Sequence, residues 1–288
     1  AAEKSGLYTL KFCDNISKTF RDLSKTLNLT NNDFIRTTEL RHKISVQKLW
    51  KELEKNDDIY LSKYSGWYSI SDEAFYADNE IVEIDGKKLA VISKSPVEWM
   101  DEESYFFRLS KWEKPLLDYY KDNPDFISPT SRKNEVISFV KNGLKDLSIS
   151  RKSFSWGIQV PGNNDHVIYV WLDALTNYLS ALNYPNINDP LFKKFWPASV
   201  HLIGKDILRF HAVYWPAFLL AAKIPLPKKV YSHGWILSGD EKMSKSKGNI
   251  LDPIEIINQY GLDPLRYYLI KEVSFGNDGN ISKERLED

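Results

Sequence analysis

The sequence predicts an α/β fold in which a parallel sheet is covered by helices on both faces. Three apolar runs, residues 167–172, 199–203 and 230–237, are each short enough for a buried strand and are separated by stretches with helical periodicity. Polar clusters follow the second and the third run. Ligands of such sheets bind just beyond the carboxyl ends of the strands, so we expect a binding site at that edge.

Helices are expected before and after this region. Apolar residues at spacings of three and four predict an amphipathic helix over residues 12–27 and a second that ends near Asn56. Towards the end of the chain, Asp252 is followed by a proline and begins a helix that Gly261 ends.

Between the second helix and the first apolar run, the pattern changes. Aromatic residues from about position 60 onward and the alternating segment 81–88 predict short strands and a turn. Helical segments follow to about position 148. We interpret this stretch as an inserted subdomain.

Composition limits the classes of partner. Thirty-nine basic residues balance thirty-nine acidic ones, so no overall field attracts nucleic acid or an anionic membrane. The single Cys13 excludes an intrachain disulfide and a multi-cysteine metal site, as is typical of a reducing compartment. No apolar run reaches the length of a transmembrane helix, and the start lacks a signal-peptide pattern. We expect a cytoplasmic protein with no membrane partner.

The most informative segment is a polar loop that reads Lys242, Met243, Ser244, Lys245 and Ser246. Two ammonium groups three residues apart can close around a polyphosphate and neutralise a leaving pyrophosphate. A lysine cluster alone is more often solvated surface. All five residues match the second signature of class I aminoacyl-tRNA synthetases, which makes ATP the expected ligand.

Two further segments are candidates for binding, each with a structural alternative. Trp171 and Tyr178 lie two helical turns apart and can line one apolar pocket, although aromatic stripes usually belong to a core. Gly204 allows a close backbone approach and Asp206 can accept ribose hydroxyls, but a tight turn explains both equally well. On the following helix, His211 is either a ligand contact or a satisfied buried histidine.

Six segments, in the same order along the chain, resemble the methionyl-tRNA synthetase family: residues 33–38, 146–151, 169–174, 201–207, 214–217 and 242–246. The resemblance covers nearly the whole sequence. It implies the second half of a class I Rossmann-type catalytic domain with an inserted α+β connective subdomain. It also implies methionine–tRNA ligase activity with ATP and Mg²⁺, tRNA(Met) as a partner, and a monomer.

The resemblance also implies roles for individual residues. The implied methionine pocket consists of Trp171, Ala174, Leu175, Tyr178, Ile207 and His211. The implied ATP-binding residues are Gly204, Asp206, His233, Gly234, Trp235, Lys242, Met243, Ser244, Lys245 and Ser246. The implied catalytic residues are Lys242, Lys245, Asp206 and Arg151. Aromatic faces suit a soft thioether, and the chemistry needs positioning and charge neutralisation more than acid–base groups.

The expected division has four parts. Residues 1–58 are the helical tail of the first Rossmann half, 59–150 the inserted subdomain, 151–238 the second Rossmann half, and 239–288 the lysine loop with the start of a helical domain. The family's early histidine signature and its anticodon-reading domain have no counterpart here, so we expect an internal fragment that is inactive alone. With one cysteine, we expect no structural zinc.

Two alternatives remain. One is another class I synthetase, for isoleucine, valine, leucine or cysteine, whose pocket is not expected to combine Trp171, Tyr178 and His211. The other is a non-catalytic tRNA-binding module derived from a synthetase, which the missing histidine signature permits. An intact lysine loop in the same chain as Asp206 favours a catalytic protein.

Overall fold

The computed structural model describes residues 1–69, 74–76, 78–91, 93–238, 241–243, 251–271, 273–282 and 287. The helices in this part of the chain are α1 (Thr9–Thr26), α2 (Leu40–Lys55), α3 (Glu113–Asp122), α4 (Thr130–Lys141), α5 (Val170–Leu175), α6 (Asn177–Ser180), α7 (Pro190–Phe195), α8 (Trp215–Ala221), α9 (Pro253–Tyr260) and α10 (Leu262–Lys271). The strands are β1 (Ile59–Ser69), β2 (Ala74–Tyr76), β3 (Ile81–Ile84), β4 (Lys87–Ala90), β5 (Glu98–Phe107), β6 (Ile127–Ser128), β7 (Leu147–Ser148), β8 (Ser150–Arg151), β9 (Gln159–Val160), β10 (Asn163–Ile168), β11 (His201–Gly204), β12 (Val230–His233), β13 (Ile236–Ser238), β14 (Glu241–Lys242) and β15 (Gly279–Ile281).

The second and third apolar runs form the expected parallel pairing. Strand β12 lies between β11 and β6 and runs parallel to both. Burial alternates along β11, where His201 and Ile203 are buried but Leu202 is 61% exposed. The expectation of a sheet covered on both faces is therefore wrong for this strand. An apolar run indicates a strand, but it does not show that other segments of the same chain cover both faces of its sheet.

The first apolar run does not join the parallel sheet. Strand β10 ends at Ile168 and pairs antiparallel with β8 and β9. Tyr169 is extended, and α5 begins at the next residue. The predicted strand over 167–172 is thus half strand and half helix. A short apolar run does not distinguish a buried strand from a buried helix, and here the helix begins midway.

The third apolar run divides into β12 and β13 at Gly234 and Trp235. A Cβ atom at Gly234 would lie 2.1 Å from the backbone oxygen of Asn277. Only glycine permits this approach of two backbones. Strand β13 then pairs with β14 on one side and runs parallel to β15 on the other.

The region predicted as an inserted subdomain is built on a long antiparallel pair of strands. Strand β1 pairs with β5 from Ile59 opposite Phe107 to Tyr68 opposite Glu98, with β2 and β7 at the edges. Strands β3 and β4 form the predicted hairpin around residues 85–86. Strand β6 also falls within residues 59–150, yet it pairs with β12. The four-part division of the chain stays a prediction.

One apolar core joins these regions. Its largest fully buried side chains include Trp50 of α2, Phe107 of β5, Tyr120 of α3, and Trp215 and Phe218 of α8. The rings of Phe107 and Phe218 meet edge to face with centroids 4.8 Å apart. Each such side chain stabilises the fold by roughly 1.5–3 kcal/mol through burial. A smaller cluster of Ile256, Leu265, Tyr268 and Ile281 packs the last helices against β15.

The predicted helices at both ends of the chain are confirmed. Helix α1 covers the predicted residues 12–27 except for Leu27, which follows its last residue, and α2 ends at Lys55 beside the predicted Asn56. Asp252 accepts a hydrogen bond from the backbone N–H of Ile254 at 2.8 Å and caps α9, which ends before Gly261. Among the described residues, no helix combines the length and the apolar character needed to cross a bilayer.

Candidate active site

A hydrogen-bonded chain links Tyr178, His211 and Ile207. The backbone oxygen of Ile207 is 3.0 Å from Nδ1 of His211 and can only accept, so Nδ1 carries the hydrogen. Nε2 then accepts from the hydroxyl of Tyr178 at 2.7 Å. Burial lowers the pKa of His211 and raises the pKa of Tyr178 to about 12. Both side chains are therefore neutral near pH 7, and every polar atom of the imidazole has a partner.

The backbone around His211 is unusual. Residues Phe210–Tyr214 form a π-helical turn that leads directly into α8. Such turns insert one residue into a helix and often accompany functional sites, because they turn side chains away from the regular helical positions. Here the ring of Phe210 stacks on Trp171, whereas the next residue, His211, binds Tyr178.

A second histidine, His201, packs against Tyr178. The ring of His201 stacks on that of Tyr178, with centroids 3.9 Å apart. Its Nε2 accepts from the indole N–H of Trp215 at 3.3 Å. Burial, reinforced by nearby His211, lowers the pKa of His201 to about 3. The wall behind Tyr178 is thus aromatic and uncharged.

The other aromatic wall is formed by Trp171 and Phe210. Their rings stack with centroids 3.5 Å apart and an interplanar angle of 8°. Trp171 and Ala174 of α5 are half-buried, whereas Leu175 is fully buried in the core. Leu175 therefore supports the wall by packing, and its predicted contact with a ligand stays a prediction.

The turn after β11 holds Gly204 and Asp206. A Cβ at Gly204 would lie 2.6 Å from a carboxylate oxygen of Asp206, so this carboxylate occupies space that only glycine leaves open. The carboxylate of Asp206 is exposed and accepts from the indole N–H of Trp235 at 3.3 Å. Because this carboxylate is exposed, its remaining acceptor positions are open to ligand hydroxyls.

The segment of His233, Gly234 and Trp235 lies beside this turn. Gly204 and His233 are paired across the parallel strands, so the two predicted ATP segments meet at the carboxyl edge of the sheet. His233 is exposed and Trp235 is half-buried. The two segments are therefore adjacent at this edge in the fold, while the role of each residue stays a prediction.

Arg151 of β8 is 3% exposed. Its Nη1 donates to the hydroxyl of Ser148 and to the backbone oxygen of Ser150, both at 2.7 Å. The guanidinium also lies 4.7 Å from the centre of the Tyr169 ring. A buried, hydrogen-bonded guanidinium offers little surface to a ligand. Its catalytic role stays a prediction.

The lysine loop is described only where it begins. The backbone of Lys242 pairs with Leu237 at the end of the β13–β14 hairpin, and the following Met243 packs against the small C-terminal cluster. Ser244, Lys245 and Ser246 lie outside the described residues, as does the side chain of Lys242. Their predicted contacts with ATP stay predictions.

A model of the family described as tRNA synthetases class I (M) matches residues 1–288. The chain belongs to this family. It is 54% identical over 286 residues to a methionine–tRNA ligase of Rickettsia felis, covering 99% of this chain and 55% of the relative. A methionine–tRNA ligase of Brucella suis is 53% identical over 287 residues, with the same coverage of 99% and 55%. The chain thus spans about half the length of these relatives.

Solved structures agree with this class I synthetase assignment. A crystal structure of Mycobacterium tuberculosis methionyl-tRNA synthetase bound by methionyl-adenylate matches with a TM-score of 0.95 at 49% identity, covering 99% of this chain and 56% of that one. The apo form from the same organism gives 0.87 at 47% identity, covering 96% and 54%. The predicted fold class, a part of the class I catalytic domain, is confirmed.

Three features of this class I synthetase chain escaped the sequence analysis. Phe210, the stacking partner of Trp171, has no signal beyond its place beside His211. Asp278 lies in a glycine-rich turn and forms an ion pair with Lys205, 73 residues earlier. A charged partner at such a separation leaves no pattern in a single sequence.

The third missed feature is a buried link behind the pocket. His42 of α2 has no exposed surface, and its Nε2 lies 2.6 Å from a carboxylate oxygen of Asp173 in α5. Its Nδ1 lies 3.0 Å from the hydroxyl of Ser180 in α6. The serine, histidine and carboxylate resemble a hydrolase triad in type, but Ser180 is fully buried and no substrate reaches it. The link instead fixes α5 and α6, which carry Trp171 and Tyr178.

A cavity of about 330 Å³ borders α5 at Val170 and Asp173 and is also lined by Thr37 and Thr38. None of the predicted site residues lines it. Within the described ranges, no group of three or more histidine, cysteine or acidic residues is placed to hold a metal ion. Residues 70–73 of the predicted inserted subdomain lie outside the described residues, so the expected absence of zinc stays a prediction.

Proposed function

We propose that this chain provides the methionine pocket and part of the ATP site of a methionine–tRNA ligase. In the proposed reaction, ATP and L-methionine form methionyl-adenylate and pyrophosphate, and the methionyl group then passes to tRNA(Met). The proposal is supported by the family membership and by relatives named methionine–tRNA ligase. It also draws on the similarity to a methionyl-tRNA synthetase bound by methionyl-adenylate.

The observation that carries the proposal is one short turn that joins the aromatic pocket to the predicted ATP-binding segments. In the 3₁₀ turn Lys205–Ile207, Asp206 accepts a hydrogen bond from Trp235 at the carboxyl edge of the sheet, where the predicted ATP-binding segments meet. The last residue of the same turn, Ile207, accepts the hydrogen bond that fixes His211 in the aromatic pocket. A ligand with an amino-acid end and an adenosine end can therefore contact both the aromatic pocket and the predicted ATP-binding segments across a single turn of backbone.

The pocket chemistry suits a methionine side chain. Trp171 and Phe210 offer aromatic surface, and Tyr178 and His211 have already satisfied each other's polar atoms. A thioether is apolar and polarisable and makes favourable contacts with aromatic rings. A charged side chain would lose its hydration in this pocket without gaining a charged partner from these four residues.

Activation requires positioning more than proton transfer. The methionine carboxylate is already an anion and attacks the α-phosphorus of ATP, and the bond from that phosphorus to the pyrophosphate oxygen breaks in line. Asp206 would hold the ribose hydroxyls and so fix the α-phosphate relative to the methionine pocket. Lys242 and Lys245 would neutralise the charge that develops on the leaving pyrophosphate.

Mg²⁺ is proposed to enter with the phosphates of ATP. Among the described residues, no group of three or more histidine, cysteine or acidic side chains is placed to hold it. When bound, Mg²⁺ would screen the phosphate charges against one another.

The remaining expectations are part of this proposal. They are the four-part division of the chain, a monomeric state, and a cytoplasmic location that the single Cys13 favours.

The test is isolation of the intermediate. The product of the complete reading frame that contains this chain is incubated with labelled methionine, ATP and Mg²⁺, and label bound to protein is separated by gel filtration. We expect methionyl-adenylate, and transfer of its label on addition of tRNA(Met). A folded protein that binds tRNA(Met) but forms no adenylate would overturn the proposal and support a non-catalytic tRNA-binding module.

A further inference from the structure

Asp278 forms the centre of a polar network at the carboxyl edge of the sheet, beside the predicted ATP-binding residues. The ammonium of Lys205 lies 2.7 Å from its carboxylate, and the backbone N–H of Trp235 donates to Oδ1 at 2.9 Å. The ammonium of Lys205 holds the pKa of Asp278 below its usual value, with the Trp235 hydrogen bond acting in the same direction. This carboxylate is therefore ionised throughout the neutral range.

The network closes on a predicted ATP-binding residue. The ammonium of Lys205 also lies 4.1 Å from the centre of the Trp235 ring. The indole N–H of Trp235 in turn donates to Asp206 at 3.3 Å. Through the ammonium of Lys205 and the backbone N–H of Trp235, Asp278 thus contacts the residue before Asp206 in the chain and the backbone of the residue whose indole binds Asp206.

The backbone around Asp278 makes the arrangement rigid. Gly279 donates its N–H to the backbone oxygen of Trp235 at 2.9 Å. Gly234 leaves no room for a Cβ because the backbone of Asn277 and Asp278 lies within 2.5 Å of that position. The turn 277–279 therefore packs directly against the connection between β12 and β13.

The position of Asp278 also matters for the lysine loop. Asp278 immediately precedes β15, which is paired with β13, and β13 is paired with β14 at the start of the lysine loop. One carboxylate consequently ties the small sheet that carries the loop to the carboxyl end of β11. Movement of the sheet relative to Asp206 would require the Lys205–Asp278 contact to stretch.

We propose that Asp278 is a positioning residue for the nucleoside triphosphate. It orients Asp206 through Trp235 and Lys205, and it holds the lysine-loop sheet at a fixed distance from the adenosine end of ATP. It acts on ATP, and its hydrogen bonds within the described part of the chain, to Lys205 and Trp235, do not reach the methionine pocket. This inference depends on the proposed function, because it assigns Asp278 to the ATP half of the same reaction.

The test compares Asp278→Asn with a matched control in the product of the complete reading frame. The control is Glu52→Gln on α2, since Glu52 also binds a lysine ammonium and is similarly exposed, at 26% against 33% for Asp278. Methionine-dependent ATP–pyrophosphate exchange is measured with each substrate varied in turn. We expect Asp278→Asn to raise the KM for ATP about tenfold, as for loss of a charged hydrogen bond, and to leave the KM for methionine within about twofold. Glu52→Gln should change neither.

A second variant separates positioning from loss of folding. Lys205→Gln breaks the same ion pair from the other side and should show the same ATP-specific increase, and the two substitutions together should cost little more than either alone. Unchanged ATP parameters in folded Asp278→Asn would overturn the inference. An equal rise in both KM values would also overturn it, because it indicates general structural damage. Failure of the proposed function is distinct, since the unsubstituted protein would then show no exchange with methionine.

Discussion

Removal of one hydroxyl group, by Tyr178→Phe, tests the pocket most sharply. The substitution keeps the ring that stacks on His201 at 3.9 Å and removes only the donor to Nε2 of His211. His211 is 3% exposed, so water does not readily replace this donor. Nδ1 already donates to Ile207, which leaves Nε2 as a buried acceptor without a partner in the variant.

The expected magnitude follows from this geometry. A buried polar atom left without its partner costs about 1–3 kcal/mol, so the free energy of unfolding should fall by that amount. Because the same hydrogen bond fixes the two pocket side chains, the KM for methionine should rise several-fold while the KM for ATP stays unchanged. Urea denaturation gives the first quantity, and methionine-dependent exchange gives the other two.

Tyr60→Phe is the matched control. Its hydroxyl donates to Asp146 at 2.8 Å from a half-buried position in the inserted region. Water can replace that bond, so the expected loss is no more than about 0.5–1.5 kcal/mol, and the KM for methionine should not change. Tyr178→Phe with no effect on stability and methionine affinity, or with an effect only on ATP, would refute the role of this hydrogen bond.

Three further predictions concern other parts of the site. Lys245→Ala should slow adenylate formation on the order of 100-fold or more, as expected for loss of a charge contact in the transition state, and an unchanged single-turnover rate would refute that role. Gly204→Ala should weaken ATP binding with little effect on methionine, because its Cβ would lie 2.6 Å from Asp206, against the 3.4 Å at which ordinary contact begins; equilibrium binding of ATP measures this, and unchanged affinity would contradict it. The pKa of His201 falls from 6.5 to about 3, so the unfolded chain binds a proton in this window that the folded chain does not, and stability should drop as the pH decreases from 6.5 towards 3. His201→Gln should remove part of that slope in urea denaturation at several pH values, and an unaltered slope would contradict the assignment.

The sequence predicts best where the cause is local. The cap of α9 was predictable because Asp252, the following proline and Gly261 act within one helix. The helical spacing also indicated α1 and α2. The apolar run 167–172 was misassigned because its hydrophobicity is the same for a strand and for the start of α5.

The sequence proposes a set of site residues but does not give their arrangement in space. Helical spacing suggested that Trp171 and Tyr178 line one pocket, but the stacking of Trp171 on Phe210 depends on the π-helical turn, which no local pattern marks. The burial of Arg151 and the pairing of Lys205 with Asp278 depend on segments that meet only in the folded chain. Interactions of this kind are set by tertiary packing.

The most direct test of the central claim is ATP–pyrophosphate exchange with each of the twenty amino acids in turn. It is measured with Mg²⁺ on the 288-residue chain and on the product of its complete reading frame. We expect methionine alone to support exchange by the complete product. Exchange with isoleucine, valine, leucine or cysteine instead, or none with any amino acid from a folded complete product, would contradict it.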